Sequence, residues 1–107
     1  MDTQRKKGLL DICVLAVLKR GPSYGYELIK NVSQCIPISE STLYPILKRL
    51  ENGGSLTTYQ QEHNGRIRKY YLITPIGTEK IRAFLDEWQE MQQIYTFVQT
   101  MNGEESK

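Results

Sequence analysis

Apolar residues fall at Leu43, Ile46, Leu47 and Leu50 within SESTLYPILKRLEN (residues 39–52), the i, i+3, i+4, i+7 spacing of one buried stripe on a helix. The rest of that wheel carries Ser41, Thr42, Tyr44, Pro45, Lys48, Arg49 and Asn52. This face is rich in hydroxyls, ends in two cations and suits a polar, anionic partner. Ser39 is placed to cap the helix, Glu40 suits the positive end of its dipole, and Gly53-Gly54 supplies the stop. Pro45 breaks the pattern. Inside a helix it removes a donor and crowds the preceding turn at a cost of about 3 kcal/mol, so its surroundings must compensate. Taken alone, an ordinary solvated helix face explains this stretch equally well.

Upstream, residues 7–19 are apolar on two faces, running through Leu9, Leu10, Ile12, Cys13, Val14, Leu15 and Leu18. That predicts a helix covered on more than one side. The residues before it, MDTQRKK, read as a basic arm. Gly21-Pro22 ends the helix, and Ser23 is placed to cap a second, short one from Tyr24 to Val32, where Tyr24, Leu28 and Val32 form a stripe. Ile36-Pro37-Ile38 then leads into residues 39–52, so the pair fits a helix-turn-helix. Downstream, LTTYQQEH (56–63) and RIRKYYLI (66–73) flank Asn64-Gly65, the strongest short signal for a tight hairpin. A two-residue turn pairs His63 with Arg66 and Leu56 with Ile73, leaving a polar tip that bears Asn64, Gly65, Arg66, Arg68 and Lys69. A cationic hairpin directly after a candidate reading helix is what a winged helix uses to grip nucleic-acid backbone.

Thr74 caps the last element and Pro75 stands at its first helical position, where a missing N–H costs nothing. The helix should run to about Thr100, roughly 38 Å. Its apolar positions follow a heptad, with Ile81, Trp88 and Tyr95 on one seam and Phe84, Met91 and Val98 on the other. Leu85 widens the stripe. So apolar a helix predicts a homodimer through this element, with Leu9 and Ile12 of the first helix sharing the interface. The expected fold class is mainly α with a small β-hairpin: a winged helix-turn-helix over residues 1–74, a C-terminal dimerisation helix over 75–101 and a flexible tail over 102–107.

Composition narrows the function. A chain of 107 residues with 39% hydrophobic and 24% charged residues is one domain's worth of ordinary globular protein. The net charge of +2 hides a polarity: residues 1–82 hold 13 Lys and Arg against 7 Asp and Glu, whereas residues 83–107 hold 1 against 5. An anionic partner therefore belongs to the first three quarters. No segment approaches the roughly 20 apolar residues of a membrane span, and a cytoplasmic location is expected, with no membrane partner. Cys13 and Cys35 lie 22 positions apart without a CxxC pattern, which suggests neither a metal site nor a disulfide framework. Cys13 reads as a small core residue. A redox role for Cys35 has no support in the sequence. One histidine, no carboxylate pair and no phosphate-cradling glycine loop argue against an enzyme, and no cofactor is expected.

Four stretches carry a resemblance: YGYELIK at 24–30, STLYPILKRLENGG at 41–54, GRIRKYYLIT at 65–74, and the helix after Pro75 with its Gly77. Together they resemble the PadR-like transcriptional regulators, in particular the short members with a single C-terminal helix. The resemblance implies a homodimeric winged helix-turn-helix repressor on a roughly palindromic double-stranded DNA operator, often controlling its own operon, a multidrug transporter or a stress gene. By position it puts Ser41, Thr42, Tyr44 and Pro45 at the major groove, Lys48 and Arg49 near phosphates, and the Gly65 to Lys69 wing against the backbone or minor groove. Pro45 is common in that family. Ile67 departs from it, since relatives often carry a more polar residue or proline there. In some relatives a tryptophan on the last helix lines an apolar cavity between subunits, where planar aromatic compounds intercalate and weaken DNA binding. Trp88 stands at that position. The competing expectation is a winged helix that uses the polar face of residues 39–52 to bind protein without reading DNA.

Overall fold

The computed structural model describes residues 3–103; the end of the expected tail, residues 104–107, lies outside the described residues. The elements in chain order are α1 (Thr3–Lys19), β1 (Ser23–Tyr24), α2 (Gly25–Val32), α3 (Glu40–Asn52), β2 (Leu56–His63), β3 (Arg66–Ile73) and α4 (Pro75–Met101). The mainly helical fold with a hairpin is therefore as the patterning predicts. One core holds it together. Leu10, Val14, Leu15 and Leu18 of α1 meet Leu28 and Val32 of α2, the α3 stripe of Leu43, Ile46, Leu47 and Leu50, and Leu56 and Tyr71 of the sheet. Each fully buried leucine among them contributes roughly 1.5–3 kcal/mol.

The hairpin has the expected register, with His63 opposite Arg66 and Leu56 opposite Ile73. Its turn needs two left-handed residues, and Asn64 (φ 52°) and Gly65 (φ 79°) supply them. The sheet nevertheless has three strands, in the order β1-β3-β2. Ser23 and Tyr24, expected as the cap and first residue of α2, instead lie extended opposite Tyr71 and Tyr70. The open edge of β3 takes them because their amides and carbonyls find partners there that a helix start would leave unmet. Ser23 is buried, and its hydroxyl donates to Glu27 Oε1 at 2.6 Å rather than capping the backbone. At the N-terminus α1 already includes Arg5, Lys6 and Lys7, so the basic residues lie within the first helix.

α4 begins as expected. Thr74 Oγ1 accepts from the Gly77 amide at 3.3 Å and donates to the Gly54 carbonyl, while the Thr74 amide donates to the Ser55 carbonyl at 3.0 Å. Gly77 is buried against that carbonyl, and the joint admits no larger residue without movement. Beyond Ile81, which packs on the chain's own core, α4 runs past α1 and projects. It makes the molecule 61 Å long against 26 and 25 Å in the other directions.

Candidate nucleic-acid interface

α3 turns its leucine stripe inward, which leaves Ser41, Thr42, Tyr44, Pro45, Lys48 and Arg49 exposed along one side. Ser39 is the N-cap, but its hydroxyl does not bond the helix backbone. It shares hydrogen bonds with the Ser41 and Thr42 hydroxyls at 3.0 and 3.3 Å, so the first turn presents a short hydroxyl chain to solvent. The helix continues unbroken through Pro45. The amide that proline lacks would have bonded the Ser41 carbonyl one turn earlier, and at this exposed face water or a ligand can take its place.

Arg66, Arg68 and Lys69 all line one groove but leave the wing on two sides of the sheet. Strand alternation puts Arg66 and Arg68 on the sheet face of Tyr70 and puts Lys69 on the face of Tyr71. Arg68 is held with its guanidinium 4.3 Å from the Tyr24 ring centre, and Tyr24 in turn meets Tyr70 edge-on while Tyr70 stacks on Tyr59 at 5.2 Å. This aromatic ladder fixes the root of the wing and pre-orients Arg68. Lys69 points toward α3, 3.9 Å from Glu51 and 5.5 Å from the Tyr71 ring centre. Burial first, then the Tyr44 and Glu51 charges, push the Tyr71 phenol above its ordinary pKa, so it remains a neutral hydroxyl. Arg49, expected near phosphates, is ion-paired through Nη2 to Asp11 of α1 in the single chain. At the surface such a pair is worth about 0–1 kcal/mol, enough to orient Arg49 but not to hold it from a stronger anion.

Between the wing and the start of α2 and α3 lies an open groove of about 570 Å³ lined by Tyr24, Gly25, Tyr26, Tyr44, Arg66 and Lys69, among others. Three of these, Tyr24, Gly25 and Tyr26, were not among the expected site residues. Their signal was the YGY triplet. Gly25 matters by its lack of a side chain, since a Cβ there would lie 2.1 Å from Tyr44 Oη. Tyr44 reaches across α2 only because Gly25 is bare. A second groove of about 440 Å³ joins Lys48 and Asn52 of α3 to Lys69 of the wing. The arrangement is a hydroxyl-bearing helix flanked by a tyrosine-lined, cationic cleft, suited to base edges on the helix and phosphates on the wing.

At the other end of the molecule, Leu85, Trp88, Met91, Ile94, Tyr95, Phe97, Val98 and Met101 are all half exposed or more. Phe84, half-buried, stacks on Trp88 with ring centres 6.1 Å apart. Trp88 separates two shallow hollows, one of about 400 Å³ with Arg5, Gly8, Leu9, Phe84, Glu87 and Met91, the other of about 320 Å³ with Met91, Gln92 and Tyr95. Leu9 and Ile12 of α1 are half-buried alongside. Among the described residues no group of three or more His, Cys, Asp or Glu is placed to hold a metal ion, and no helix is long and apolar enough to cross a membrane.

Residues 14–83 match the transcriptional regulator PadR-like family. The chain is similar to an uncharacterised protein of Lysinibacillus sphaericus, 32% identical over 93 residues that span 82% of this chain and 85% of that protein. Among solved structures, smu.1704 from Streptococcus mutans UA159 superposes with a TM-score of 0.76 at 38% identity, covering 94% of this chain and 93% of that one. A PadR-like transcription factor from Bacteroides fragilis superposes with a TM-score of 0.80 at 30% identity, covering 90% and 95%.

Proposed function

This chain belongs to the transcriptional regulator PadR-like family and is a DNA-binding transcriptional regulator, not an enzyme, and from that premise we propose that it is a homodimeric repressor relieved by a planar hydrophobic ligand. In this reading residues 1–74 meet DNA and residues 75–101 pair the chains. Ser41, Thr42, Tyr44 and Pro45 face base edges in the major groove. Lys48, Arg49 and the wing residues Asn64, Gly65, Arg66, Arg68 and Lys69 contact phosphates. The target is a roughly palindromic operator, because a two-fold dimer offers its reading helices to half-sites a whole number of helical turns apart.

The observation that carries this reading is the apolar face of α4, exposed in the single chain and far from the cationic groove. Completing the burial of each half-exposed side chain gains about 1 kcal/mol, and a two-fold pairing counts each residue twice. That matches an association cost of roughly 4–15 kcal/mol. Leu9, Ile12, Phe84, Leu85, Trp88, Met91, Tyr95 and Val98 form the interface, with Ile81 at its inner edge against the core. The hollows either side of Trp88 have the size of small-molecule sites and present ring faces for stacking. A planar ligand there weakens repression to the extent that it binds the two spacings of the reading helices with different affinity.

Fluorescence anisotropy of a labelled fragment from upstream of its own gene tests this. Binding that exceeds that of a shuffled fragment and persists as salt rises is expected, as is release on adding planar aromatic compounds. Equal, salt-sensitive binding to both fragments would overturn the operator, and release that survives Trp88→Ala would overturn the ligand site.

A further inference from the structure

The two cations of α3 leave the helix on different flanks. Lys48 turns to the wing, where it lines a groove with Lys69. Arg49, one position on and so about 100° further round the helix, turns to α1, where its Nη2 donates to Asp11 Oδ1 at 2.5 Å. The two partners of that pair are unequally covered. The Asp11 side chain is 24% exposed and the Arg49 side chain 51%. The carboxylate is thus the sheltered member, and the guanidinium is the one an anion from solution meets. Lys48 has no ion-pair partner among the described residues, so the support is particular to Arg49.

We propose that Asp11 is a positioning residue for DNA recognition: it fixes the Arg49 guanidinium on the α1 flank of α3, so that the free part of the fork meets a backbone phosphate on the opposite side of the helix from Lys48 and the wing. This rests on the reading of Arg49 as a phosphate contact. A guanidinium carries five N–H donors in one rigid plane, and the ion pair engages a single nitrogen. Nη1 and Nε make no hydrogen bond among the described residues, which leaves them for a phosphate while Nη2 stays on Asp11. One arginine then bridges a carboxylate of the protein and a phosphate of the duplex.

Two effects of Asp11 on binding oppose one another. A long side chain must give up rotamer freedom when it binds, and a partner that orders it beforehand lowers that cost. The carboxylate's charge acts the other way, because it repels the phosphates it helps to reach. Its sheltered position and its direct pairing to a cation keep that repulsion small. Substitution separates the two effects. Asparagine keeps the Oδ1 acceptor and drops the charge, whereas alanine drops both.

Anisotropy of a labelled duplex from upstream of the gene, titrated with the full chain at several salt concentrations, tests this. The variants are Asp11→Ala, Asp11→Asn, Arg49→Ala and the double Asp11→Ala with Arg49→Ala, each checked for folding by circular dichroism. Arg49→Ala should flatten the slope of log affinity against log salt by about 0.9, one phosphate's worth. Asp11→Ala should flatten it too and weaken binding about 2–5-fold at low salt, although it removes a negative charge. Asp11→Asn should restore the parent slope, with affinity equal to or above the parent's. Once Arg49 is alanine, Asp11→Ala should leave the slope where it is. A mere strut between α1 and α3 would lower the melting temperature in Asp11→Ala and leave the slope unchanged. A carboxylate that only competes with phosphate would make both Asp11 variants bind tighter. Either result would overturn the positioning role and leave Arg49 as a phosphate contact. An unchanged slope for Arg49→Ala would overturn the phosphate assignment and the positioning role together.

Discussion

Gly77→Ala is the sharpest test of how α4 is joined to the body. A Cβ at Gly77 would lie 2.5 Å from the Ser55 carbonyl oxygen, 2.7 Å from Ile73 Cγ1 and 3.2 Å from Leu15 Cδ2. Comfortable contacts begin near 3.5 Å, so the neighbours must retreat by about an ångström. One of them is a backbone oxygen that already accepts from the Thr74 amide at 3.0 Å. Overpacking of this kind costs roughly 1–3 kcal/mol, and weakening that hydrogen bond adds about 0.5–1.5 kcal/mol. Alanine's better helix propensity returns up to about 1 kcal/mol. The net expectation is a loss of roughly 1–3 kcal/mol. With a urea m value of about 1–3 kcal/mol per molar for a small domain, the midpoint falls by about 1 M. Gly25→Ala is the control. Its Cβ also meets an atom too close, but that atom is the end of the half-exposed Tyr44 side chain, which can swing outward. Gly25→Ala should therefore change stability little and shift DNA preference instead. Urea unfolding followed by far-ultraviolet circular dichroism, at equal chain concentrations because association raises apparent stability, separates the two. A Gly77→Ala midpoint at or above that of the parent, or a larger fall for Gly25→Ala, would refute the packing argument.

Arg66→Ala with Arg68→Ala should weaken binding to specific and shuffled DNA alike, and for every phosphate no longer neutralised the slope of log affinity against log salt should flatten by about 0.9. Ser41→Ala or Thr42→Ala should instead alter sequence preference, by about 1–3 kcal/mol at one base pair in a binding-site selection experiment. Pro45→Ala restores a helix hydrogen bond and should raise the melting temperature, with a gain of up to about 3 kcal/mol, while lowering operator affinity measured by anisotropy. Trp88→Ala should leave circular dichroism unchanged, since Trp88 is 56% exposed in the single chain, yet shift sedimentation toward monomer.

The sequence carried the hairpin because Asn64-Gly65 fixes both the turn and, through it, every cross-strand pair down to Leu56 and Ile73. The α3 stripe and the Thr74-Pro75 start of α4 were equally legible, since each is written in adjacent residues with one physical meaning. β1 was not. Two residues have no periodicity, and Ser23 before an apolar stripe looks like a helix cap until the open edge of β3 claims it. The Arg49 pairing to Asp11 spans 38 positions and depends on how α1 crosses α3, which no local pattern encodes. That Arg68 is held by Tyr24 while Lys69 turns toward Glu51 is also hidden in the sequence, because the alternation across the sheet matters only once those partners are placed. Likewise Gly25 reads as a helix-start glycine, and its use as clearance for Tyr44 appears only in three dimensions.

The two-residue strand β1 has an effect out of proportion to its length. By pairing Ser23 with Tyr71 and Tyr24 with Tyr70 immediately before α2 begins, it welds the hairpin to the helix pair, so the two tilt together. In the proposed dimer, the offset between what a half-site shows to α3 and what it shows to the wing is thereby built into one rigid gauge. Adjustment between half-sites is then left to α4 beyond Ile81, which projects from that gauge. On this reading substitutions along the projecting part of α4 retune operator spacing without touching base preference, and substitutions on α3 change the sequence read without disturbing the spacing. Two traits that a more loosely joined wing would entangle are free to evolve one at a time.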